Sequence, residues 1–110
     1  MEELIINDRK RRAIIWHTPH VPQQIHNRKL FSSVETGLKK LKKAIRKIGI
    51  FIPSFKDGEC LCIFWGDVKK MVVCPVVLRT RGLFFIPTIY EAEKWHKRAY
   101  KEVRRRKSNK

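Results

Sequence analysis

The clearest periodic signal lies between residues 34 and 48. Val34, Leu38, Leu41, Ile45 and Ile48 recur at spacings of four, three, four and three, which places them on one face of an α-helix. Ser32-Ser33-Val34-Glu35 precedes the stripe as a capping box, in which a serine hydroxyl takes an orphan backbone N–H and Glu35 reaches back. Gly49 supplies the stop. Gly37 inside the helix costs about 1 kcal/mol relative to alanine, a cost that the stripe and the end signals outweigh. A second helix is predicted near the C-terminus. Pro87 precedes Thr88-Ile89-Tyr90-Glu91, another capping box. Ala92, Trp95, His96, Ala99 and Val103 then fall on one side of the helical wheel, with Lys94, Lys97, Arg98, Lys101 and Arg105 on the other.

The remaining apolar runs are short and rich in β-branched or aromatic residues, which predicts strands at 4–6, 13–16, 50–52, 60–65, 71–78 and 83–86. Lys56-Asp57-Gly58 and Gly66-Asp67 read as turns. Pro75 interrupts the run 71–78, predicting an edge strand, a bulged strand or two shorter pieces. Residues 17–27 contain Pro19 and Pro22 without a helical period, which predicts an extended loop. The expected fold class is α+β, a small antiparallel sheet with two amphipathic helices packed on it. Residues 1–107 form the expected single domain and 108–110 a frayed tail.

Composition narrows the class. The chain has 110 residues, of which 43% are hydrophobic, enough for one core and too many for a disordered basic tail. Its longest apolar run, 71–78, is far below the roughly 20 residues of a membrane helix. Glu2 and Glu3 do not fit a secretory signal. Three cysteines, an odd number, sit in strand-like runs. They predict free thiols in an intracellular, reducing compartment, cytoplasm or nucleus.

Charge changes the picture most. Lys plus Arg number 26 against 10 Asp plus Glu, a net charge of +16. Such an excess repels itself on a small body and persists most easily where a polyanion neutralises it. The cations form three clusters. One is Arg9, Lys10, Arg11 and Arg12; the second is Lys39, Lys40, Lys42, Lys43, Arg46 and Lys47 on the first helix. The third is Lys94, Lys97, Arg98, Lys101, Arg104 and Arg105 on the last helix. Ordinary surfaces intersperse both signs, yet the first helix has no acid after Glu35. The pattern predicts a nucleic-acid-binding protein that contacts phosphates through basic helix faces. RNA ranks ahead of DNA, because lysines that read shape and aromatics that stack serve it without a base-reading helix. Trp16 and Tyr100 stand at element edges as stacking candidates, whereas Trp65 and Trp95 lie in apolar patterns and are expected in the core.

From Ser32 onward the order helix, three strands, helix resembles that of the double-stranded RNA-binding domain. That family's Gly-Pro loop with a histidine and its Lys-Lys-x-Ala-Lys helix start are replaced here by Lys56-Asp57-Gly58 and Ile89-Tyr90-Glu91. The resemblance stops at element order and carries over no functional residue.

Three other chemistries have candidate residues. His17, His20, Cys60, Cys62 and Cys74 are zinc-type ligands, but Cys-x-Cys is not the usual structural spacing. A two-residue turn at Gly66-Asp67 sets Cys60 opposite Val73, and only a three-residue loop sets Cys74 opposite Cys60. No metal site and no cofactor are expected, and phosphate-loop and dinucleotide motifs are absent. A small ribonuclease would use His17, His20 and His26 in one loop beside Arg28 and Lys29, although no fixed spacing links them. A protein-interaction module, an inhibitor or adaptor, would dock the same basic faces on an acidic partner protein.

Overall fold

A computed structural model describes residues 14–79 and 83–108. The predicted strand at 4–6 and the cluster Arg9, Lys10, Arg11 and Arg12 lie outside these residues. The chain runs β1 (Ile14–His17), α1 (His20–Asn27) and α2 (Val34–Lys43), which continues as a π-helical turn, Ala44–Ile48. Then follow β2 (Ile50–Pro53), β3 (Glu59–Trp65), β4 (Met71–Leu78), β5 (Leu83–Ile86), β6 (Tyr90–Glu91) and α3 (Lys94–Ser108).

The strands form one six-stranded sheet in the order β1-β5-β4-β3-β2, with β6 beside β4. Strands β1 and β5 are parallel; the pairs β2–β3, β3–β4, β4–β5 and β4–β6 are antiparallel. The fold is α+β as expected, with a larger sheet and one more helix. Five strands separate α2 from α3, not three, so the element order departs from that of the double-stranded RNA-binding domain.

Strand alternation splits the core into two layers. On one face Cys60, Cys62, Phe64, Val72, Cys74, Val76, Phe84 and Ile86 pack under Val21 and Ile25 of α1 and under Leu41, Ala44 and Ile45 of α2 and its π turn. On the other face Ile50, Ile52, Leu61, Ile63, Met71 and Val73 pack under α3 through Tyr100, Ala99 and Val103. The helices therefore lie on both sides of the sheet.

Several local expectations are corrected. Residues 20–27 are helical, not an extended loop. Pro19 is the N-cap and Pro22 falls in the first turn, where no intrahelical N–H is needed. The N-cap of α2 is Ser33, whose hydroxyl accepts from the Thr36 N–H at 3.1 Å. Ser32 instead bonds the Asp67 carboxylate through its N–H at 3.1 Å and through its hydroxyl. Thr88 to Glu91 are not a capping box, because Tyr90 and Glu91 pair with β4 and the helix begins at Lys94. Its start is capped in another way: the Glu93 N–H donates to His96 Nδ1 at 2.9 Å.

The π turn explains where the first apolar stripe breaks. The Gly49 N–H reaches back five residues to the Ala44 carbonyl at 2.7 Å. This wider turn buries Ala44 and Ile45 together and leaves Ile48 exposed. Gly49 is extended, at φ −74°, so it does not end the helix by left-handed geometry. A Cβ there would overlap Cys62 Sγ and lie 2.7 Å from the Ala44 carbonyl oxygen. Space, not backbone freedom, requires this glycine.

Pro75 sits inside an unbroken strand in the sheet interior, not in an edge strand. On the side away from β3, β4 pairs with β6 at Val72 and Val73 and with β5 at Val77 and Leu78. Cys74 to Val76 fall between those two partners, which is where a residue without an N–H is tolerated.

Candidate nucleic-acid interface

On α2, Lys39, Lys42, Lys43 and Lys47 are exposed, while Lys40 and Arg46 are half-buried. Lys39 pairs with Glu35 at 3.5 Å, both side chains well solvated, which makes that pair weak. Lys40 faces Asp67, whose carboxyl is held below its ordinary value chiefly by the Ser32 hydrogen bonds, with a smaller contribution from Lys40. On α3, Lys94, Lys97, Arg98, Lys101, Arg104 and Arg105 are all exposed. Arg104 lies over Tyr100, donating from Nη1 to its hydroxyl at 3.1 Å.

The two basic helices do not share a surface. α2 belongs to the layer on one side of the sheet and α3 to the layer on the other. Helix spacing puts each row of cations opposite its own buried stripe, and the sheet lies between the two stripes.

The exposed aromatics differ from expectation. Trp65 and Trp95 are 48% and 44% exposed, not core residues, and Tyr100 is only 6% exposed. Tyr100 packs into the layer beneath α3, which removes it as a stacking candidate. Trp16 remains one, at 60% exposure. Its indole leans on Phe85, with ring centres 5.0 Å apart and planes at 39°. Register explains the contact: Trp16 stands opposite Phe85, and Phe85 opposite Val77. The Arg79 guanidinium lies 5.4 Å from the Phe85 ring centre. No sequence signal singles out Phe85 and Arg79, because pairing between the distant segments 14–17 and 83–86 leaves no mark in local spacing.

Among the described residues, the alternative chemistries find no assembled site. The loop joining β3 and β4 spans residues 66–70, so neither the two-residue nor the three-residue register forms. Cys62 stands opposite Cys74, and Cys60 opposite Val76. All three cysteines are buried in the layer beneath α1 and α2, and burial pushes the Cys74 thiol up. Among the described residues, no three His, Cys, Asp or Glu side chains are grouped to hold a metal. The histidines His17, His20 and His26 do not share a loop. His17 ends β1, with Nδ1 3.0 Å from the Thr18 carbonyl oxygen. His20 begins α1, with Nε2 2.9 Å from Gln24 Nε2. His26 lies six residues farther along the same helix, about 120° around it.

His96 is the buried polar group of this region, at 2% exposure. Burial lowers its pKa, partly opposed by Glu93. Because Nδ1 accepts the Glu93 N–H, the ring proton of the neutral form sits on Nε2, which has no hydrogen-bond partner among the described residues. The ring lies against Trp95, with centres 3.7 Å apart and planes tilted by 31°. Helix capping is the work this geometry assigns to it.

No helix among the described residues is long and apolar enough to cross a membrane. No family model, curated protein or solved structure matches this chain.

Proposed function

We propose that this protein binds nucleic acid through phosphate contacts made by its basic helices, with RNA ranked ahead of DNA. The observation that carries the reading is the exposed cation row on α2, Lys39, Lys42, Lys43 and Lys47, on a helix with no carboxylate after Glu35. A fixed row of this kind neutralises successive phosphates and releases their counterions. Lys94, Lys97, Arg98, Lys101, Arg104 and Arg105 supply a second row on α3. Lys40 and Arg46 contribute less exposed charge to the first row, and Arg9, Lys10, Arg11 and Arg12 add charge immediately before β1 in the chain.

The test is binding of nuclease-treated protein to single- and double-stranded RNA and DNA across a salt series. Log affinity falls linearly with log salt, and replacing Lys39, Lys43 and Lys47 with glutamine weakens binding without unfolding the protein. The salt slope becomes shallower by about 0.9 for each duplex phosphate that is no longer neutralised. Unchanged affinity in that variant removes α2 as a binding face. Weak binding of the unaltered protein to all four ligands transfers the reading to an acidic protein partner.

A further inference from the structure

We infer that the β1 edge of the sheet, on the side that carries α3, is a stacking site for unpaired nucleotide bases centred on Trp16. The inference rests on the phosphate-binding reading and adds a ligand class to it, single-stranded nucleic acid.

Among the described residues, the site follows from incomplete cover. α3 packs over residues of β2, β3 and β4. Phe85 and Trp16 continue the same face onto β5 and β1, outside that cluster, because alternation sends their neighbours Phe84 and Ile15 to the opposite layer. Trp16 and Ile14 are left exposed. An exposed tryptophan on a strand forgoes burial worth more than that of other side chains. Here the indole is steadied by Phe85 at 5.0 Å while most of it faces solvent. That is a supported ring with a free surface, the arrangement on which a base stacks.

Charge selects the occupant. The Arg79 guanidinium, exposed and 5.4 Å from the Phe85 ring centre, puts a cation beside the aromatic pair. The cations of α3 lie on the same side of the sheet but over its β2 half. A base on Trp16 therefore brings its phosphate toward Arg79. Glu59 lies two strands from Phe85 along the same row and accepts a hydrogen bond from the Ser54 hydroxyl at 3.0 Å. Bases paired inside a duplex have both faces covered, so the site selects unpaired nucleotides.

Fluorescence isolates the site. With Trp65→Phe and Trp95→Phe in place, Trp16 is the one tryptophan of the three that remains. The protein is titrated with a short oligoadenylate and, separately, with a blunt RNA duplex. Expected are saturable quenching of Trp16 by the single strand and strong retention of binding in Trp16→Phe. Trp16→Ala weakens single-strand binding about tenfold while duplex binding stays within about twofold. Single-strand binding with no change in Trp16 emission overturns the stacking site and leaves the phosphate reading standing. Equal losses on both ligands in Trp16→Ala also overturn it. Trp16 emission that shifts with protein concentration alone assigns the face to a second copy of this chain and overturns it as well. Failure of the unaltered protein to bind either ligand sinks the phosphate reading itself.

Discussion

Single residues settle several contests between local preference and space. Gly37 looks costly in a helix, yet a Cβ there would lie 2.7 Å from the Phe31 ring, so the glycine permits α2 to approach the chain segment before it. Gly49 is the stricter case, because the obstruction includes the backbone carbonyl of Ala44. Replacing Gly49 with alanine is expected to destabilise the fold by about 1–3 kcal/mol, the usual cost of overpacking a filled site. Denaturant unfolding measures it, and an unchanged midpoint would show that the π turn relaxes freely. Tyr100 and Trp95 teach a related lesson. Both lie on the predicted helix, but its true start at Lys94 and its packing angle bury the tyrosine and expose the tryptophan. A helical wheel drawn without a neighbour cannot set that angle.

At the scale of elements, strands β2 to β5 are legible in the sequence almost to the residue, since their β-branched runs are bounded by glycine, aspartate and lysine turns. α1 is hidden there, because two prolines in eleven residues outweigh the single buried pair Val21 and Ile25. The basic rows are legible as sequence clusters, but their placement on opposite layers is not, since nothing local records which side of a sheet a helix takes. The start of α3 carries a pH dependence. His96 accepts the Glu93 N–H only when neutral, and its folded-state pKa lies below the ordinary 6.5. Above that value the ring is neutral in both states and the contribution is complete. As pH falls below it, the unfolded chain takes up the proton first, and stability drops until the folded pKa is reached. The melting temperature is therefore expected to fall as pH drops through 6.5. His96→Gln, which retains an acceptor at the capping position, should show a smaller fall. Coincident pH profiles for the two proteins would remove His96 as the source.

Among the described residues, the sheet is clothed on one side by α1 and α2 and partly clothed on the other by α3. That partial cover leaves Trp16 exposed, and the pairing of β1 with β5 is what sets the half-buried Phe85 beside it. The placement of the basic helices on opposite sides also has a consequence of number. In the phosphate-binding reading, such a molecule has a valence of two. At low ratios of protein to a long polyanion, one copy joins two strands into a network. With protein in excess, every strand is coated separately and the joints dissolve. Light scattering is expected to rise and then fall as protein is added, and glutamine substitutions on either helix alone should abolish the rise while leaving simple binding in place. A monotonic curve would mean that one side of the sheet acts by itself.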